Sequence, residues 1–414
     1  MNAMQVDESF IKEFLSHRDY DLRKSGYGRW IDQKCTPDVI TIISDCILSF
    51  VLKNASTSFT SRDIWHSDYA NKNVLAIFGK PLVEDYSAKN EYDKFFQQPM
   101  KLLSYAGILC ERKSGNENIY TISNQLLLEY LSIREKNSII FLNLYIEKVL
   151  KDSDHFLSFE LFFSDPNRET YSSLKDSFER FTKAYTKITG KTESDRIFTK
   201  VLNPLSFSRQ TNGTERGRIS SNPITLDMLM YNRENFRDIN NGKPKGKTRK
   251  NYIGTTPQLY SKIDAYLNYL SEKAKKYVGE YNKENNNGLS EIDVPNEVRD
   301  FAPATQKHHI FMKNEFPNLA GLPENIICLT PNQHQAYAHP NNHTSEISKR
   351  YQYICLLSKS DTIENSYVHH LGLYEFDNFL KVLAEGLSDN TYLDVPKNNY
   401  SYLKLKINAS YQTI

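Results

Sequence analysis

The chain has 414 residues, enough for two or three domains with buried cores of their own. Its 52 Lys and Arg against 50 Asp and Glu exclude a uniformly basic nucleic-acid coat, and 22 Phe and 27 Tyr exclude a disordered chain despite an apolar fraction of 39%. No run of about 18 apolar residues is present, so neither a spanning helix nor a membrane partner is expected. Met1 to Phe14 carries Asp7, Glu8, Lys12 and Glu13 where a secretion signal needs an apolar core, and the expected location is the cytoplasm. The cysteines (Cys35, Cys46, Cys110, Cys328, Cys355) form no C-x-x-C pair, which argues against both a disulfide framework and a thiolate zinc site.

Three regions follow one another. In the first, residues 1–150, Val39, Ile42, Ile43, Cys46, Ile47 and Phe50 recur at helical spacing, behind Thr36 as N-cap and Pro37 at the first helical position. A short helix over Thr60–His66 opens at Thr60 or Ser61, with Asp63 in its first turn. Another begins at Pro99 and is stopped by Gly107. Two strand-like runs, Ile108–Lys113 and Ile119–Ser123, flank the polar turn from Ser114 to Asn118. Helices followed by a hairpin resemble a winged helix, a DNA-reading module; Arg112 and Lys113 would lie on the wing and touch phosphate.

The second region, 151–300, shows helical spacing over Tyr171–Ile188 and Pro257–Tyr281. Between them lie two basic stretches read as loops. Residues 209–218 carry Arg209, Arg216 and Arg218; residues 243–250 carry Lys243, Lys245, Lys247, Arg249 and Lys250 among Gly and Pro. Such loops suit a phosphate backbone, because bound cations release its counterions. Tyr231–Asp238 adds Arg233 and Arg237 among aromatics.

In the third region, 301–414, five of the ten histidines fall between 308 and 343: His308, His309, His334, His339 and His343. Lys307–Met312 reads as a short extended run, Glu315–Glu324 as a loop, Ile326–Leu329 as a second strand, and Pro331 as the start of a helix containing His334. Beyond these come helical patterns at 344–358 and 373–387 and a strand-like, Tyr-rich tail. Neighbouring side chains on a strand point to opposite sides, so His308 and His309 take different jobs. One can bind metal while the other, with a pKa near 6.5, activates water. His339 lies five positions after His334, about 140° out of phase at 100° per residue, so any third-ligand or phosphate contact it makes comes from another face. His343 and the His369–His370 pair are read as surface residues.

The HHIF of residues 308–311, the PENIICLT run with Asn325, and His334 nine residues later resemble the HNH, or ββα-metal, nuclease motif. The resemblance covers about 40 residues. It implies His309 as general base, His308 and His334 as ligands of Mg2+ or Mn2+, and Asn325 as the brace of the loop that orients the base. Two departures stand out. Met312 occupies a position where many members have proline, and Thr330 and Gln333 stand near the place of the family's zinc-binding cysteine pairs, so no structural zinc is expected.

The fold expected is therefore α+β and multi-domain. A mainly helical, winged-helix-like part reads DNA (1–150), a helical region carries basic DNA-contacting loops (151–300), and a C-terminal nuclease module includes further helices (301–414). This layout resembles bacterial Type II restriction endonucleases of the HNH class, Type IIS enzymes above all. That resemblance implies double-stranded DNA as substrate, self-association for double-strand cleavage, and a cognate DNA methyltransferase as functional partner. Two alternatives carry the same site: a modification-dependent or homing nuclease, and a non-catalytic DNA-binding regulator.

Overall fold

The computed structural model describes residues 6–78, 80, 82–84, 88–231, 257–292, 302–339 and 347–412. The fold is mixed α+β and mostly helical, and the chain divides into two compact units, residues 1–262 and 263–414. The region read from sequence as 151–300 is thus shared between them. No boundary falls near 150, because a single helix runs through that position.

In the first unit, Asp7 caps α1 (Glu8–Ser16) by accepting from the Phe10 N–H, and α2 (Leu22–Ser25) is a single turn. The centre is α3 (Pro37–Asn54), whose residues from Pro37 to Ile47 are all buried. A helix buried on every side belongs in the middle of a core, and α3 packs against α7 (Gln125–Ile133) and α8 (Glu135–Asp152). Thr36 and Pro37 open α3 as expected, but the Thr36 hydroxyl donates to Asp38 Oδ1 (2.7 Å) rather than serving as a side-chain cap. Between α3 and α7 come β1 (Ser58–Thr60), α4 (Ser61–His66), α5 (Asp68–Phe78), α6 (Ala88–Tyr105), β2 (Leu109–Ser114) and β3 (Glu117–Ile122). Thr60 and Asp63 form a reciprocal capping box at the start of α4. The three strands are antiparallel in the order β1-β3-β2, with Phe59 opposite Tyr120 and both side chains buried.

Pro99 lies inside α6 and does not start it. An interior proline removes one helical hydrogen bond. Here Phe95 and Phe96 before it and Met100, Leu102 and Leu103 after it are all fully buried, and this packing carries the helix through. Gly107 ends the helix at φ +90°, a conformation open to glycine.

The unit continues with α9 (Phe156–Ser164), α10 (Arg168–Tyr185), α11 (Lys191–Ser208), β4 (Asn212–Glu215), β5 (Arg218–Pro223) and α12 (Leu226–Leu229). The stretch 209–218, expected as a loop, is largely an antiparallel hairpin tied to α11. Asn203 accepts from the Thr214 N–H and donates to the Thr214 carbonyl. The basic run Lys243–Lys250 and the segment with Arg233 and Arg237 lie outside the described residues.

The second unit begins along α13 (Pro257–Asn285), longer than the expected helix by one turn. Strand β6 (Gln306–His309) pairs antiparallel with β7 (Ile326–Leu329), with His308 opposite Ile327 and His309 opposite Ile326. Next come a π-helical turn (Gln333–Ala338), α14 (Lys349–Val368), α15 (Phe376–Gly386) and α16 (Tyr400–Tyr411). The tail is this last helix, not the expected strand. Tyr400, Leu403 and Ile407 are buried at helical spacing, Asn399 caps the first turn, and α16 packs along α14. Under β7 sits a buried ion pair: Lys359 Nζ lies 3.0 Å from Glu291 and donates to the Tyr374 hydroxyl. Glu291 also accepts from the Cys328 N–H (2.7 Å), so these buried charges are paired and hydrogen-bonded. No helix among the described residues is long and apolar enough to cross a membrane.

Candidate metal centre and its flanking histidine

Two short strands and one unusual turn build the site. The alternation along β6 sends His308 to a buried face, 4% exposed, and His309 to a half-buried one. The next element starts at Thr330, followed by Pro331. Thr330 Oγ1 accepts from the Gln333 N–H (3.2 Å) while Gln333 Oε1 accepts from the Thr330 N–H (3.0 Å). Each side chain thus satisfies the other residue's backbone at the helix start. Thr330 and Gln333 thus have a structural job as a cap.

From Gln333 the turn is π-helical and leaves at His339, where the backbone is extended (φ −116°, ψ 99°). The i→i+5 pattern widens each turn, and such turns recur at functional sites. His334 and His339 are five apart, and their ring centroids are 4.7 Å from each other. Both rings also lie beside His308, at 5.2 and 5.1 Å. One nitrogen from each of the three imidazoles can be chosen so that all lie within 4.8 Å of one another. His339 lies just past the π turn on extended backbone, so its ring joins His334 from outside the helix and not from a shared helical face.

Burial holds the His308 pKa down to about 3, with the His334, His339 and His309 rings adding smaller pushes in the same direction. His334 is lowered by burial and then by His339. Neutral imidazole is the form that ligates a cation, and this group contains three imidazoles and no carboxylate.

His309 points the other way. Its Nε2 lies 3.1 Å from the Ala320 carbonyl oxygen and 3.3 Å from Ser271 Oγ, on α13. A carbonyl only accepts, so Nε2 carries the proton and Nδ1 keeps the lone pair. Burial lowers the pKa of this histidine; the Ala320 contact opposes that, and the charges of Lys275 and Lys313 add to it.

Asn325 is fully buried and ties these parts together. Its Oδ1 accepts from the Phe311 N–H (2.9 Å), and its Nδ2 donates to the carbonyls of Phe311 (3.0 Å) and Leu319 (3.3 Å). It therefore joins the exit of β6 to the residue just before Ala320, the carbonyl that holds His309. Gln352 of α14 donates to the Ile310 carbonyl from the other side. Neither Ser271 nor Gln352 is recognisable from sequence. They lie 38 and 43 residues from His309, and only the fold brings them there.

The remaining expected site residues are dispersed. Arg112 and Lys113 are exposed on β2, and Arg216 and Arg218 are exposed at the turn between β4 and β5. Arg209 is engaged within the fold: it bonds Glu147 (2.8 Å) and the Leu205 carbonyl, and lies over the Phe163 ring. His369 and His370 are exposed, and His343 lies outside the described residues. Comparison with family models, curated proteins and solved structures gives no match to this chain.

Proposed function

We propose that this protein is a metal-dependent nuclease of the HNH type that hydrolyses phosphodiester bonds in double-stranded DNA. The observation that carries the reading is the split of one histidine pair. His308 joins His334 and His339 in a three-imidazole group, while His309 is held on the opposite side by a carbonyl with its Nδ1 lone pair available. A cation bound by the three imidazoles would stabilise the charge developing on the phosphate and its leaving oxygen. The donor set fits such an ion, and its lack of carboxylates favours a borderline metal such as Zn2+ or Ni2+ over Mg2+. His309 Nδ1 takes the proton from water as the water oxygen attacks phosphorus and the P–O bond to the leaving oxygen breaks. Asn325 and Ala320 keep that imidazole in place through the step.

The first unit supports duplex DNA as substrate. The order α3, β1, α4–α6, β2, β3 with the sheet order β1-β3-β2 resembles that of a winged helix, which would put Arg112 and Lys113 on an exposed wing strand. Arg216 and Arg218 offer a second pair of exposed cations. A sequence-reading unit joined to a cutting unit suits a Type II restriction endonuclease, with a methyltransferase protecting the host DNA and two protomers cutting the two strands. Incubation of the full chain with unmethylated phage DNA and Mn2+, Zn2+ or Mg2+ tests this: discrete fragments are expected, and His309→Ala should yield none. Intact DNA with every metal and with modified substrates would overturn the reading.

A further inference from the structure

The long helix α13 brings a second set of polar residues to His309. Asn268, Ser271, Glu272 and Lys275 stand at spacings of three and four and so share one face. Ser271, buried, touches the His309 imidazole. One turn on, Lys275 pairs with Glu272 (3.1 Å), whose side chain is 73% exposed. Across from the helix, Lys313 follows His309 by four residues and donates to Asn268 Oδ1. Among the described residues Lys313 has no carboxylate partner, and the Lys275 pair is of the exposed kind that contributes little and exchanges readily. Both ammonium charges are felt at the imidazole.

We infer that Lys275 and Lys313 form a phosphate-gripping pair that holds the DNA backbone beside His309. Two cations flanking a water-activating base are placed to bind the non-bridging oxygens of the scissile or adjacent phosphate. Asn268 pre-orients one of them, and the Ser271 contact sets the distance of the helix from the base. This inference rests on the nuclease reading. It adds a substrate contact to those the sequence assigned to Arg112, Lys113, His339 and the loops at 209–218 and 243–250.

The test is steady-state cleavage of duplex DNA by the full chain with Mn2+, comparing wild type with the Lys275→Gln, Lys313→Gln double variant. The KM for DNA should rise about tenfold while kcat stays within about threefold, and the slope of log affinity against log salt should fall by about two. Replacement of both residues by arginine should recover most of the KM loss, which separates charge from packing. Mn2+ affinity measured by titration should match wild type in the glutamine variant, showing that the site itself is folded. A wild-type enzyme that cuts, with KM and salt slope unchanged in the glutamine variant, would overturn the lysine pair alone. A wild-type chain that cuts no duplex DNA would overturn this inference together with the nuclease reading.

Discussion

Replacing Asn325 with leucine, similar in volume but unable to hydrogen-bond, should loosen the second unit where His309 is held. Three backbone groups lose their side-chain partner: the Phe311 N–H, the Phe311 carbonyl and the Leu319 carbonyl. A buried hydrogen bond contributes about 1 kcal/mol net, and each buried group left unsatisfied costs about 1–3 kcal/mol. Allowing for partial relaxation, the local loss should be about 3–5 kcal/mol, a large share of the 5–15 kcal/mol typical of a whole domain. Tryptophan fluorescence cannot follow it, because both tryptophans, Trp30 and Trp65, lie in the first unit. Hydrogen exchange read by mass spectrometry can: peptides covering β6 and β7 should lose about two to four orders of magnitude in protection, while peptides from α3 keep theirs. A loss under tenfold in β6 and β7 would refute the bracing role. An equal loss in α3 would show that the effect is not local to the loop.

Four further outcomes follow from individual contacts. His155 is buried against Phe181 (4.3 Å between ring centroids), its Nε2 has no partner among the described residues, and burial holds its pKa down to about 4. Its unfolded form binds the proton first, so stability should fall as pH drops from about 6.5 toward 4, by up to roughly 3 kcal/mol from this group. Urea titrations at several pH values should show that His155→Phe removes this component, and an unchanged pH profile would count against it. Lys359→Met strands the buried Glu291 carboxylate and should cost about 3–5 kcal/mol; adding Glu291→Gln should recover part of that loss in a double-mutant cycle, and strict additivity would refute the coupling. A methyl group at Gly386 would sit 2.5 Å from the Phe311 ring, so Gly386→Ala should cost about 1–3 kcal/mol in thermal or urea unfolding. His339→Ala should weaken Zn2+ or Ni2+ binding by at least tenfold in calorimetric titration, and unchanged affinity would remove His339 from the ligand set.

Where the determinants are local, the sequence was legible. Pro37 after Thr36 marks the start of α3, the Thr60–Asp63 box marks α4, and the run Ile326–Leu329 is β7 to the residue. Gly115, at φ +58°, marks the turn between β2 and β3. Where tertiary packing outweighs a local signal, the reading fails. Pro99 looks like a first helical residue, yet buried aromatic and aliphatic neighbours carry α6 through it. The tyrosines of the tail favour a strand by propensity, but their register against α14 is that of a helix. Residues 209–218 look like a flexible basic loop because Arg, Gly and Thr dominate them. The Asn203 contacts that order the hairpin come from α11, outside that stretch.

The histidine cluster joins both cases in one site. The pair His308–His309 divides its labour by strand alternation, which needs nothing beyond adjacency in β6. His334 and His339 come together because the turn after His334 is π-helical and the chain leaves it extended at His339, a geometry no spacing rule at 100° per residue anticipates. At its start, Gln333 meets the Thr330 backbone and also accepts from the Ser290 hydroxyl (2.6 Å), anchoring the first residue of the turn from outside. At its end, the Ser348 N–H donates to the Ala338 carbonyl (3.0 Å), beside His339. The turn is therefore held at both ends by residues distant from the motif, and its width sets how closely the third imidazole approaches the other two. If the proposed centre binds metal through all three, its affinity depends on those two anchors as well as on the ligands themselves.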